Sequence, residues 1–94
     1  MTASELDVKQ RKALKARAHH LKPVVITGNA GLTDAVMNEI EIALAHHELI
    51  KVKLAGSEQD ERQEAAEAIC EALNAGLVQI IGQVVILYRE KPEA

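Results

Sequence analysis

Between residues 24 and 54 the sequence changes from a strand pattern to a helix pattern and back, and this alternation restricts the fold more than any other feature. Val24-Val25-Ile26 is β-branched throughout and predicts a short buried strand. Thr33 can cap a helix over residues 34–47, and Leu49 to Leu54 then alternates apolar residues with lysines, as a strand with one solvated face does. Two strands joined by a helix require a right-handed crossover and a parallel pairing.

A second helix pattern precedes this unit and a third follows it. Ser4 with Asp7 three residues later forms a capping-box-like start and predicts a helix over residues 5–20. Ser57 with Asp60 starts the third helix in the same way, and Gly76 ends it. Four apolar residues of the third helix are predicted to face inward: Ala65, Ile69, Ala72 and Leu73.

The C-terminal part of the chain predicts a β-hairpin. Leu77–Ile81 and Val84–Tyr88 are apolar runs joined at Gly82-Gln83, the Gly-X pattern of a type II′ turn. Alternation gives this hairpin two apolar faces, so the first helix is the candidate for a second covering layer. The residues expected on these faces are Val78 and Ile80 on one, and Leu77 and Ile81 on the other.

The expected fold is therefore a single α/β domain over residues 1–94, with an ordered core of about 4–90. The element order is α-β-α-β-α-β-β, and three helices cover a four-stranded mixed sheet. The amino-acid composition limits what such a domain can do. Tyr88 is the only aromatic residue, so base stacking on exposed rings is excluded as the main mode of nucleic-acid binding.

The sequence also lacks several other functional signals. Cys70 is the only cysteine, which excludes an intramolecular disulfide and a cysteine-based zinc site, and adjacent histidine pairs do not build a metal-binding helix face. We therefore expect no metal, no cofactor, no catalytic residues and no small-molecule substrate. The chain has no secretory signal and no apolar segment of about 20 residues, which predicts a cytoplasmic protein without a membrane partner.

The net charge of −3 conceals a strong asymmetry along the chain. Residues 1–27 contain six basic and two acidic residues, a local charge of +4, whereas the rest contains five basic and twelve acidic residues, a charge of −7. A local field of this kind orients a molecule toward a polyanion even when its total charge is slightly negative.

The basic residues of the first helix recur at short helical spacings. Lys12, Lys15, His19 and Lys22 follow one another at intervals of three or four residues, and Arg11 lies beside Lys15. Like charges at these spacings repel by roughly a few tenths of a kcal/mol per pair, so helix stability does not explain them. A polyanionic partner does, and the alternative is an ordinary solvated helix face.

A glycine loop lies between the first strand and the second helix. Gly28-Asn29-Ala30-Gly31 has the G-x-x-G pattern with which KH domains clamp an RNA backbone. Its backbone N–H groups and the following helix N-terminus can approach phosphate closely. The alternative is that the two glycines only make a tight turn.

Several segments of the chain together closely resemble a known family, the bacterial YhbY-type CRM domain of the chloroplast RNA splicing and ribosome maturation family. The segments that carry the resemblance are Lys9-Gln10-Arg11-Lys12 through Ala18-His19, Leu21-Lys22-Pro23-Val24, Gly28-x-x-Gly31-Leu32-Thr33, Glu39-Ile40, Ala43-Leu44, His47-Glu48-Leu49-Ile50-Lys51-Val52-Lys53, Val78-Gln79-x-Ile81-Gly82 and Leu87-Tyr88-Arg89. The resemblance implies an RNA-binding domain that acts on precursors of the large ribosomal subunit. It also implies a fold similar to the C-terminal domain of bacterial translation initiation factor three.

Together, these observations predict a monomeric, non-enzymatic RNA-binding protein that docks on structured ribosomal RNA. The residues predicted to bind RNA are Arg11, Lys12, Lys15, His19, Lys22, Gly28, Asn29, Ala30 and Gly31. Members of the family often carry a basic or polar residue inside the glycine loop, whereas Asn29 and Ala30 supply no charge, and this shifts phosphate binding toward the first helix. The alternative function is a protein-interaction module whose acidic third helix meets a basic ribosomal or assembly protein.

Overall fold

The computed structural model describes residues 6–28, 31–56 and 58–91. Its secondary-structure elements follow the order predicted from the sequence. They are α1 (Val8–Ala18), β1 (Val25–Thr27), α2 (Asp34–His47), β2 (Leu49–Leu54), α3 (Gln59–Leu73), β3 (Gly76–Ile81) and β4 (Val84–Tyr88). In the described part of the chain, no helix is both long enough and apolar enough to span a membrane.

The four strands form one mixed sheet in the order β1-β2-β4-β3. β1 pairs with β2 in parallel, and β4 is antiparallel to both of its neighbours. Because β4 lies between β2 and β3, those two strands run in the same direction, as a strand-helix-strand unit requires. The predicted mixed sheet is confirmed.

Helices cover both faces of this sheet. α2 and α3 pack on one face around a core that includes Ile40, Leu44, Ile69, Val85 and Leu87. α1 packs on the other face, where its Leu14 and Ala18 meet a smaller cluster of sheet residues: Leu49, Val78 and Ile86. The first helix therefore does supply the second layer.

The start of α1 differs from the prediction. Asp7 is the N-cap, since its carboxylate accepts from the Gln10 N–H at 2.7 Å and the Gln10 side-chain oxygen accepts from the Asp7 N–H at 3.3 Å. The helix begins at Val8 and ends at Ala18, so it is shorter at both ends than the predicted 5–20. Ser4, the expected start signal, lies outside the described residues.

The two remaining helix starts are fixed by side chains. Thr33 caps α2 as predicted, because its hydroxyl oxygen accepts from the Val36 N–H at 3.2 Å. At α3 the N-cap is Glu58, whose N–H donates to the Glu61 carboxylate at 3.1 Å. Ser57, the predicted start of this helix, lies outside the described residues.

The structure also differs from the prediction in the residue that ends α3 and in one residue of its inner face. Asn74, in the left-handed conformation with φ of 53°, ends the helix, whereas Gly76 is the first residue of β3. Of the four residues predicted to face inward, Ile69 is buried and Ala65 and Leu73 pack against the core, but Ala72 is exposed. Ala72 points away because neighbouring side chains on a helix lie about 100° apart.

A bulge in β3 changes the predicted faces of the hairpin. Leu77 pairs with Leu87 and Gln79 pairs with Ile86, which leaves Val78 as an extra residue. Val78 consequently packs beneath α1, while Leu77 and Ile80 pack against the α2/α3 core. The prediction that Val78 and Ile80 lie on the same face of the sheet is wrong for this reason.

The turn of the hairpin agrees with its prediction, whereas the bounds of the first strand do not. Gly82 has φ of +56° and Gln83 does not have a positive φ, as the predicted type II′ turn requires. The first strand is Val25–Thr27 and not 24–26, and it buries only one face. Ile26 is 65 % exposed.

Candidate nucleic-acid interface

Charge is divided between the two helical layers of the molecule. α1 contains five basic residues and no acidic one. α2 and α3 together contain eight acidic residues and one arginine. Because these layers cover opposite faces of the sheet, the side of the molecule that carries α1 is the one that attracts a polyanion.

A groove runs between α1 and the uncovered part of the sheet, and we call it the basic groove. Lys15, His19 and His20 line it from α1 and the residues that follow, and Lys51 lines it from β2. The other lining residues are Ala16 of α1 and Gln79, Ile81 and Ile86 of the sheet, and the volume of the groove is about 460 Å³. None of the residues that line it is acidic. The groove can thus accept an extended anionic chain.

Lys51 is absent from the residues predicted to bind RNA, although the pattern that reveals it is visible in the sequence. Lys51 and Lys53 alternate with Ile50, Val52 and Leu54, which belong to the α2/α3 core. The two lysines therefore point to the α1 side of the sheet. The alternation alone indicates only that the two lysines lie on a solvated face of the sheet. Their closeness to the basic residues of the first helix follows only from the position of α1 on that face.

Arg11 is a predicted RNA-binding residue that the structure places elsewhere. It lies three residues before Leu14 and seven before Ala18, so it flanks the buried stripe of α1. Its Nη2 donates to the backbone oxygen of Leu6 at 3.4 Å, and its Nε is buried without a partner among the described residues. This half-buried guanidinium is poorly placed to meet a phosphate.

Lys12 and Lys22 are exposed but do not line the basic groove. Lys12 is two residues before the buried Leu14 and so points away from the sheet. Lys22 follows the end of α1 and lines a second groove with Arg17, over an apolar floor of Val24, Leu49 and Ile50. The predicted single stripe of basic residues is therefore divided, because α1 ends before Lys22.

The glycine loop follows β1 at the same end of the sheet as the hairpin turn. The Gly31 N–H donates to the Gly28 oxygen at 3.1 Å, and Gly31 has φ of +71°, a conformation that favours glycine. Gly28 has no positive φ, and a Cβ added to it would meet nothing within 4 Å. Asn29 and Ala30 lie outside the described residues.

The histidines of the described part of the chain lie in two adjacent pairs. The rings of His19 and His20 are 5.6 Å apart and those of His46 and His47 are 6.3 Å apart. The described residues contain no group of three metal-ligating side chains. Burial, with a smaller contribution from the charge of Glu67, raises the pKa of the Cys70 thiol to about 11.

Comparison with known proteins finds relatives over nearly the whole chain. A protein of Haemophilus influenzae named RNA-binding protein is 51 % identical over 89 residues, which cover 95 % of this chain and 90 % of that protein. Probable RNA-binding protein YqeI of Bacillus subtilis is 36 % identical over 90 % of this chain and 88 % of its own length. A solution structure from Staphylococcus aureus, described as a candidate RNA-binding protein, has a TM-score of 0.85 and 35 % identity over 95 % of this chain and 93 % of its own.

The model of one protein family matches most of the chain. This match extends over residues 6–89 and so includes every helix and strand described above. The chain belongs to the CRS1/YhbY (CRM) domain family.

Proposed function

We propose that this protein binds structured ribosomal RNA and acts in the cytoplasm, as a monomer, during assembly of the large ribosomal subunit. RNA binding is supported by the family to which the chain belongs and by relatives that are named for RNA binding. The resemblance of its sequence motifs to ribosome-maturation proteins supports the ribosomal target. No catalytic step is part of this proposal.

The basic groove is the observation that carries the proposal. Two cationic side chains from different elements, Lys15 of α1 and Lys51 of β2, face the same space, and the histidines after α1 extend it. A solvated helix face explains charges on one helix, but it does not explain why a lysine from the sheet converges with them. Phosphates along an RNA strand provide a partner for both.

The remaining predicted residues contribute in different ways. Lys12 and Lys22 are exposed and can meet phosphates outside the basic groove, whereas Arg11 acts mainly within the protein. The loop from Gly28 to Gly31 would approach the RNA backbone through its main chain. Shape and phosphate spacing, and not base stacking, would then select the RNA.

Charge reversal in the groove tests the binding site. Lys15→Glu and Lys51→Glu should each weaken binding to a large-subunit ribosomal RNA fragment by about tenfold at physiological salt, since each removes a phosphate contact and adds a repulsion. Fluorescence anisotropy measures this affinity. Lys91→Glu is the matched control, because it changes the net charge equally and Lys91 lines neither groove.

Two results would contradict the proposal. If the groove variants and Lys91→Glu bind RNA equally well, the groove is not the binding site. If the parent protein binds basic ribosomal proteins and not RNA, the acidic α3 is the functional surface. The assembly role is tested by sedimentation of tagged protein from cells, which should travel with immature large-subunit particles and not with mature ribosomes.

A further inference from the structure

Part of the sheet face that carries α1 is not covered by that helix. α1 covers Leu49, Val78 and Ile86. Beyond it, one row of residues crosses all four strands in register, since Ile26 pairs with Lys53, Lys53 with Val84, and Val84 with Ile81. We call these four residues the open row. With strands about 4.8 Å apart, it is about 14 Å long.

The open row has exposed apolar ends, whereas its two middle residues, Lys53 and Val84, are half-buried, with Val84 packed against the cluster beneath α1. Ile26 is 65 % exposed and Ile81 is 54 % exposed, while Val25 and Ile80, which precede them on the same strands, pack against the α2/α3 core. Ile26 lies two residues before Gly28 of the glycine loop, and Ile81 lies beside the hairpin turn and also lines the basic groove. The row thus joins the loop to the groove.

We propose that the open row is the floor on which unpaired nucleotides of the bound RNA lie, an inference that rests on the proposed function. The aliphatic side chains of Ile26, Val84 and Ile81 contact base faces, and Lys53 meets a phosphate. Because the bases lie with their faces on these side chains and not on one another, the row of about 14 Å holds one base over Ile26 and another over Val84 and Ile81. The RNA strand would run between the glycine loop and the hairpin turn.

The chemistry of the row favours unpaired nucleotides over a duplex. A duplex keeps its base faces stacked inside the helix and presents phosphates and sugars, and burying phosphates against isoleucine is unfavourable without compensating polar partners. Unpaired bases expose apolar faces, whose burial against aliphatic side chains is favourable by about 25 cal/mol per Å². Gln79, in the adjacent row, offers both a donor and an acceptor to a base edge.

The surrounding charge favours RNA over a protein segment with an apolar face. Lys53 lies within the row, and Lys51 and Lys15 lie in the adjoining groove, in which none of the lining residues is acidic. A second copy of this chain would bring the same lysines against these, which is repulsive. A nucleic-acid strand supplies apolar faces and negative charges together.

The test compares two RNAs that have the same number of phosphates: a hairpin with a large unpaired loop and a fully paired duplex. Ile26→Thr combined with Ile81→Thr keeps β-branched residues in both strands while it removes apolar surface. We expect this double variant to bind the looped RNA about tenfold more weakly than the parent does. It should bind the duplex as the parent does. Ile42→Thr is the matched control, because Ile42 is 50 % exposed on α2 on the opposite side of the sheet.

Several outcomes would overturn the proposal. These are an unchanged affinity for the looped RNA, an equal loss for both RNAs, or a parent protein that sediments as a dimer and becomes a monomer in the double variant. A parent that binds neither RNA removes the proposed function and this proposal with it.

A measurement on the parent protein does not depend on the folding of a variant. In a methyl-labelled sample, base ring currents should move the methyl resonances of Ile26 and Ile81 upfield when the looped RNA is added. The Ile42 resonances should remain in place. Unchanged Ile26 and Ile81 resonances at saturating RNA would contradict the contact.

Discussion

Substitutions at the two glycines of the G-x-x-G loop can distinguish a glycine that is needed for RNA contact from one that is needed for its backbone conformation. At Gly28 a Cβ would meet nothing within 4 Å, and the backbone does not have a positive φ. Gly28→Ala should therefore leave stability unchanged or raise it by about 0.4–1 kcal/mol, since alanine restricts the unfolded chain. If the RNA backbone lies against this glycine, the added methyl group should nevertheless weaken RNA binding by about tenfold, because close approach is lost.

Gly31 should behave in the opposite way. Its φ of +71° is unfavourable for alanine, so Gly31→Ala should cost about 1–2 kcal/mol of stability. Gly31→Asn, whose side chain tolerates this conformation, should recover most of that loss. Urea unfolding measures the stability of each variant, and fluorescence anisotropy with a large-subunit RNA fragment measures its affinity.

The comparison between Gly28→Ala and the parent decides the question. A variant that is as stable as the parent and binds RNA equally well would refute close approach of the RNA at this position. A variant that is clearly destabilised would refute the structural reasoning, because the space around Gly28 would then be occupied in solution.

The structure makes three further predictions. The slope of log affinity against log salt should be about −3.5 to −4.5, at 0.7–0.9 per phosphate for about five cations that line the grooves or the open row, and a slope near zero would contradict electrostatic binding. With its pKa at about 11, Cys70 should react with a thiol reagent at pH 8 about tenfold more slowly than a cysteine of pKa 9.0, since its smaller thiolate fraction is partly offset by the greater nucleophilicity of a high-pKa thiolate, and faster as the pH rises toward 11. Arg89→Ala should cost about 1–3 kcal/mol in urea unfolding, because Arg89 donates to the Leu73 oxygen at 3.0 Å and pairs with Glu41.

Local sequence signals predicted most of the fold. The cap at Thr33, the bounds of α2 and β2 and the turn at Gly82 depend on residues close together in the chain, and the structure agrees with each. The position of β4 between β2 and β3 depends on packing across the whole sheet, which local signals do not determine. The sequence does contain a clue, since Val85, Ile86 and Leu87 are consecutive apolar residues, as a central strand covered on both faces requires, and all three are buried in the structure.

The errors occurred where tertiary packing overrides a regular pattern. Strict alternation could not foresee the bulge at Val78, which appears in the sequence only as one more apolar residue. The candidate site was predicted in part for a similar reason. Lys15 and His19 could be found on one helix, but the convergence of Lys51 with them requires α1 to lie across the sheet.

The division of charge between the helical layers also determines how the net charge affects RNA binding. A helix with its side chains is about 10 Å across, so two helical layers with a sheet between them are about 20 Å apart. The described part of the chain measures 35 × 26 × 22 Å. At physiological salt the Debye length is about 8 Å, so the acidic layer is screened from RNA in the basic groove. At about 0.01 M salt the Debye length is about 30 Å, which exceeds the separation of the layers.

RNA affinity should therefore rise linearly on a log-log plot as salt falls toward about 0.1 M, and more gradually below about 0.03 M, where the acidic layer begins to repel the RNA. Glu64→Gln combined with Glu71→Gln removes two exposed charges from α3. This variant should bind RNA more tightly than the parent at 0.01 M salt and within about twofold of it at 0.15 M, because screening hides the difference there. Titrations across this salt range provide the measurement. An equal gain in affinity at both salt concentrations would mean that the acidic layer lies close to the bound RNA, which is incompatible with binding on the α1 side of the sheet.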